Sequence, residues 1–107
     1  MRKLAITMCL FSTLAHAEYL DGNKLLSNLK DSSYFNQGHA MGYIVGVADM
    51  GWGIVHCSPG NVTAGQLSDM VKNYLENTPA ERHFTGDIIV NKILKTMWPC
   101  AKKGATL

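Results

Sequence analysis

Three histidines that follow the N-terminal segment are the first side chains to test for chemistry: His39, His56 and His83. No two of them stand four residues apart on a predicted helix, and no carboxylate–histidine signature accompanies them, so the usual zinc spacing is missing. Their positions near predicted helix ends favour surface or capping roles. A metal site that the fold assembles from all three stays open as an alternative.

Candidate nucleophiles and phosphate-binding loops also lack their partner residues. No serine lies in a Gly-x-Ser-x-Gly elbow. The Gly51-Trp52-Gly53 segment is not followed by the Lys-Ser or Lys-Thr pair of a phosphate loop. We therefore predict a protein that is not an enzyme, holds no metal and no cofactor, and works by binding.

The N-terminus predicts export. Met1-Arg2-Lys3 is positively charged, residues 4–14 are mostly apolar, and Ala15-His16-Ala17 is the small-x-small pattern that signal peptidase reads. We predict a signal peptide over residues 1–17, cleavage before Glu18, and a periplasmic mature protein. The apolar run is too short to anchor the chain in a bilayer.

The predicted mature chain is small and electrically balanced. Removal of seventeen residues from 107 leaves 90, enough for one small domain. Arg2 and Lys3 leave with the signal peptide, so eight basic residues face eight acidic ones. This balance, without a Lys/Arg cluster, argues against nucleic acid and against an anionic membrane surface as partners.

Cys57 and Cys100 are the cysteines that remain once the signal peptide, with Cys9, is removed. Two cysteines in an oxidising compartment most simply pair. The bond would close a loop of about 43 residues and stabilise the fold by about 4 kcal/mol in the chain-entropy model. Since a domain of this size has only a modest core, such a cross-link matters.

A long apolar segment over residues 36–56 predicts a central helix. Asp49 and five glycines argue against its crossing a membrane. Three of these glycines recur every four residues and predict the close approach of another helix along one face: Gly38, Gly42 and Gly46. Asp49 is expected to serve as a buried cap or in an ion pair.

Capping signals delimit three further helices. Asp21 begins one that runs to about Lys30. Thr63 and Gln66 form a capping box for another that ends near Asn77. A Thr-Pro-Ala-Glu box at residues 78–81 predicts a last helix that continues to about Trp98. The predicted fold class is all-α: a small single-domain bundle of about four helices over residues 18–100, tied by one disulfide, with a flexible tail at 101–107.

Two surface features are candidates for binding. The first is a polar loop held at its base by Cys57, which lowers the entropy cost of docking: Ser58, Pro59, Gly60, Asn61 and Val62. The second is the pair Phe84 and Ile88, which lies outside the main apolar stripe of the last helix. Packing against the first helix is favoured for this pair, with contact to a second copy of the chain as the alternative.

An ordered set of segments resembles the Rap/Tai immunity family, whose members guard bacteria against type VI secretion amidase effectors. Gly42-Tyr43-Ile44-Val45-Gly46-Val47-Ala48-Asp49 is similar to the family's Gly-Tyr-Ile-x-Gly-Val-x-Asp segment. The resemblance continues through Cys57-x-Pro59, residues 62–67, residues 74–79, Arg82-His83 and Trp98-Pro99-Cys100. It covers about residues 20–100.

The resemblance implies a small helical periplasmic protein, often a homodimer, that plugs the catalytic groove of a peptidoglycan amidase toxin. Residues 58–62 are then the candidate partner-binding loop, and Phe84 and Ile88 are the candidates for self-association. Many family members carry another cysteine near residues 26–29, where this chain has none. Gly86 stands where alanine is common, a change expected to be mild.

An acid-stress periplasmic chaperone, similar to the small helical HdeA-type proteins, is the alternative function. It shares the size, the export, the helical content and a single disulfide. Those chaperones place their second cysteine in a segment that corresponds here to residues 74–79, so the disulfide of this chain would join different elements.

Overall fold

The computed structural model describes residues 19–101, whose long elements are all helices. They are α1 (Gly22–Leu29), α2 (Tyr34–Gly51), α3 (Ala64–Asn77) and α4 (Gly86–Met97), with a short 3-10 turn at Pro79–Glu81. Within residues 19–101 the backbone forms no strand, only two isolated bridges. The predicted all-α bundle of four helices is confirmed.

Part of the sequence prediction falls on residues that the structure does not describe. The signal peptide at 1–17, with Cys9, lies outside the described residues, and so does the predicted tail apart from the exposed Ala101. None of the helices between residues 19 and 101 is long and apolar enough to cross a membrane.

Side-chain caps begin three of the four helices. Asp21 and Ser33 each accept a hydrogen bond from the backbone N–H three residues later, at 2.8 and 3.3 Å. Thr63 and Gln66 form both bonds of a capping box. Each cap satisfies an N–H group that a helix start leaves without an internal partner. The predicted caps at Asp21 and Thr63 are confirmed.

The central helix α2 ends at Gly51, so the predicted end near His56 was wrong. The Gly51 carbonyl accepts from the N–H groups of Ile54 and Val55, at 3.0 and 2.7 Å, and closes a tight turn. Gly53 then takes a φ of +81°, a conformation that costs little only without a Cβ. These glycines stop a helix that the apolar periodicity alone would continue.

The last helix begins at Gly86, so the predicted start at residues 78–81 was also wrong. Thr78 makes no side-chain cap bond, and the residues after it form only the 3-10 turn. The carbonyls of Arg82 and Phe84 accept from the first two N–H groups of α1, at 3.0 and 2.9 Å. This segment therefore accepts hydrogen bonds from the N–H groups at the start of α1 and does not itself continue as a helix.

The hydrophobic core surrounds α2, which packs against the other three helices. Every helix contributes at least one fully buried side chain: Leu25, Ile44, Leu75, Ile89 and Leu94. The remaining side of α2 carries Gly38, Gly42 and Gly46, where an added Cβ would meet nothing within 4 Å. The predicted close approach of another helix therefore does not occur among residues 19–101.

A charged cluster centred on Glu81 joins the 3-10 turn to α3 and α4. The Tyr74 hydroxyl donates to the Glu81 carboxylate at 2.5 Å, and the Lys92 ammonium donates to both of its oxygens at 3.0–3.1 Å. The Tyr74 bond, followed by the bond from Lys92, holds the pKa of Glu81 below its usual range. A carboxyl whose pKa is lowered on folding adds stability at neutral pH, and that contribution is lost as the pH falls through the folded-state pKa.

Replacing Tyr74 with phenylalanine is expected to raise the pKa of Glu81, because the largest cause of its depression is removed. The measurement is a carbon-13 NMR titration of the Glu81 side-chain carboxyl. Tyr34→Phe is the matched control, since Tyr34 is almost fully exposed and forms none of the hydrogen bonds of this cluster. An unchanged Glu81 pKa in the Tyr74→Phe variant would contradict the assignment.

Candidate functional site

The candidate binding loop is anchored by the predicted disulfide. Cys57 and Cys100 are bonded, with their Cα atoms 4.9 Å apart. The Cys57 N–H also donates to the Trp98 carbonyl at 2.8 Å. The loop base is thus joined to the end of α4 by one covalent bond and one hydrogen bond.

The loop itself divides into an exposed middle and two inward ends. Pro59, Gly60 and Asn61 are exposed, whereas Ser58 and Val62 are half-buried. Val62 packs against the hydrophobic core. Of the five candidate residues, the middle three are available to a partner, and the outer two hold the loop in place.

Two side chains from the turn after α2 fix the loop at Ser58. The Trp52 indole N–H donates to the Ser58 carbonyl at 2.9 Å. The Ser58 N–H donates to His56 Nδ1 at 3.3 Å, and His56 Nε2 lies 2.9 Å from the Ala48 carbonyl. Because a carbonyl only accepts, Nε2 carries the proton and the ring is the neutral tautomer. His56 is buried, so a surface role was wrong, but its bond to the Ala48 carbonyl in the last turn of α2 agrees with the predicted capping role.

A groove runs between the last turn of α2, this loop and the first turn of α3. We call it the α2–loop groove; its volume is about 210 Å³, and its lining includes Asp49, Trp52, His56, Ser58, Gly60 and Leu67. Asp49 is exposed and forms no ion pair within residues 19–101, so the predicted buried or paired role was wrong. The sequence did not single out Trp52 or this groove.

The comparison with protein families matches residues 21–100 to the family described as Rap1a immunity proteins. The chain belongs to the Rap1a immunity protein family. No curated protein matches the chain. Membership supports an immunity protein that binds a secreted effector toxin.

The second candidate surface of this Rap1a immunity protein is exposed. Phe84 and Ile88 are 39% and 52% exposed, and neither belongs to the core or to the side chains packed against it. The Phe84 ring contacts the His83 ring, with centroids 4.3 Å apart. The favoured packing of this pair into the bundle is therefore not what the structure shows.

The histidines of this Rap1a immunity protein do not gather into one site. His39 stacks on Phe35, with centroids 6.4 Å apart, while His83 contacts Phe84 and His56 is buried beneath the loop. Among residues 19–101, no three histidine, cysteine or acidic side chains are placed to hold one metal ion.

Proposed function

We propose that this chain is a periplasmic immunity protein that binds and inhibits a type VI secretion peptidoglycan amidase. The family match over residues 21–100 supports an immunity role against a secreted effector. The signal-peptide pattern at residues 1–17 supports action in the compartment that holds peptidoglycan.

The feature that carries this proposal is the fixed loop at residues 58–62. A disulfide and two side-chain hydrogen bonds hold it before any partner arrives. A loop already ordered in its binding shape loses little entropy on docking, which favours affinity. Its exposed middle would enter the amidase groove, and surrounding surface would complete an interface of roughly 1,600 Å².

The Gly60→Tyr variant tests whether the loop enters the amidase. An added Cβ at Gly60 meets nothing within 4 Å, so a side chain can leave the backbone here without a clash at its first atom. In the complex, the tyrosine side chain would occupy space that the enzyme has to occupy. We expect roughly 100-fold weaker binding to a type VI secretion amidase that the native protein binds, or about 2.7 kcal/mol, with loss of protection in a peptidoglycan-cleavage assay.

Asn61→Ala and Asn73→Ala form a matched pair for the same assay. Asn61 lies on the exposed part of the loop, and Asn73 is exposed on α3. We expect Asn61→Ala alone to weaken binding. If Gly60→Tyr binds and inhibits as the native protein does, another surface makes the contact. If the native protein binds no amidase, the proposed function itself is wrong.

We also propose a homodimer, for which Phe84 and Ile88 provide an exposed apolar strip. A charge in a desolvated interface is costly, so Ile88→Asp is expected to dissociate the dimer. Sedimentation velocity measures the change, and Met97→Asp is the control, because Met97 is similarly exposed at the other end of α4. A dimer that survives Ile88→Asp would point instead to the open glycine face of α2.

A further inference from the structure

Asp49 stands where the fold makes a negative charge unfavourable. It lies in the last turn of α2, at the negative end of the helix dipole, and this turn holds no basic residue. Neither of the ion pairs within residues 19–101 includes Asp49. A carboxylate in this position weakens the helix slightly, so helix stability does not explain it.

Within residues 19–101, the walls of the α2–loop groove bring no positive charge to Asp49, because no lysine or arginine of this part of the chain lines the groove. His56 lines the groove, but both of its ring nitrogens are already bonded, since Nδ1 accepts the Ser58 N–H and Nε2 donates to the Ala48 carbonyl. The negative potential at this end of α2 is therefore uncompensated by the groove.

Trp52 supplies an aromatic surface three residues from Asp49. Its indole is 60% exposed, and the bond from its N–H to the Ser58 carbonyl fixes the ring. A cation above an aromatic face is attracted to it. A guanidinium is planar, stacks on such a ring and donates paired hydrogen bonds to a carboxylate.

The size of the groove suits one side chain. Its volume of about 210 Å³ is below the roughly 300 Å³ at which small-molecule pockets begin. We infer that the groove receives an arginine side chain of the effector, which pairs with the Asp49 carboxylate and stacks on Trp52. This inference rests on the proposed function for the identity of the partner and adds a specific anchor beside the binding loop.

The Asp49→Asn variant tests the anchor, because it keeps the shape of the side chain and removes only the charge. We expect about tenfold weaker binding to a type VI secretion amidase that the native protein binds, with an unchanged or slightly higher Tm. Asp69→Asn is the matched control, since Asp69 is exposed on α3 outside this groove; its affinity should stay within about twofold. Equal binding by Asp49→Asn and the native protein overturns the inference.

A second probe separates this inference from the proposed function. If the native protein binds no amidase, the anchor can still be tested by titrating the protein with arginine amide. The chemical shift of the Trp52 indole N–H in the NMR spectrum reports binding. A saturating shift in the native protein that is absent in Asp49→Asn supports the anchor. No shift in the native protein, or an equal shift in both proteins, overturns it.

Discussion

Replacement of Cys57 and Cys100 by serine is expected to lower the free energy of unfolding by about 4 kcal/mol. The bond closes a loop with a sequence separation of 43, and the unfolded chain gains the corresponding freedom once the bond is removed. For a domain of this size, the loss corresponds to a Tm lower by roughly 15–30 °C. The expected loss of about 4 kcal/mol is a large share of the roughly 5–15 kcal/mol that typically stabilises a folded domain.

Thermal unfolding followed by circular dichroism at neutral pH measures this effect. Reducing agent should bring the native protein down to the Tm of the Cys57→Ser/Cys100→Ser variant and leave that variant unchanged, which controls for the serines. If the free energy of unfolding fell by less than about 1 kcal/mol, the remaining contacts would already hold the loop base at Cys57 to the end of α4. The hydrogen bond from the Cys57 N–H to the Trp98 carbonyl is the contact that would explain this result.

Local signals predicted the parts of the fold that local contacts decide. The caps at Asp21 and Thr63 use side chains and N–H groups three residues apart, so the sequence pattern contains both partners. The start of α4 depends on α1, whose first N–H groups take the Arg82 and Phe84 carbonyls. A capping pattern at residues 78–81 holds no information about that distant partner.

The error at the end of α2 also concealed the surroundings of the proposed binding loop. A helix continued to His56 would place Trp52 and His56 one turn apart on one face, away from any fixed loop. Because the helix stops at Gly51, both side chains instead turn toward Ser58. Composition and Cys57 predicted the loop, but not the hydrogen bonds that hold it or the exposure of Asp49.

Gly86 shows the same dependence on contacts between helices. An alanine there was expected to be a mild change. A Cβ at this position would lie 2.7 Å from Cε1 of Tyr43 on α2, so the ring would have to move. The cost of an alanine at residue 86 therefore depends on how far the Tyr43 ring can move, a contact between α2 and α4 that the sequence alone does not contain.

The Gly22→Ala substitution is expected to destabilise the fold by about 3 kcal/mol, through overpacking where two backbone segments meet. The new Cβ would lie 2.7 Å from the Arg82 carbonyl oxygen and 2.8 Å from Cδ1 of Ile89. The Ile89 side chain can adjust, but the Arg82 backbone is held. Its carbonyl accepts the Asn23 N–H at 3.0 Å, and its guanidinium donates to the Leu75 carbonyl at 2.7 Å.

Urea unfolding of Gly22→Ala beside Gly65→Ala separates packing from helix propensity. Both glycines lie in the first turn of a helix, but a Cβ at Gly65 meets only Thr63 Oγ1, at 3.9 Å. Gly65→Ala should therefore stabilise the protein by about 0.5 kcal/mol, because alanine lowers the entropy of the unfolded chain. If Gly22→Ala lowers the free energy of unfolding while Gly65→Ala raises it, the loss of stability at Gly22 is assigned to contact with Arg82. A stabilising Gly22→Ala would mean that α1 and the segment before α4 lie farther apart than the structure places them.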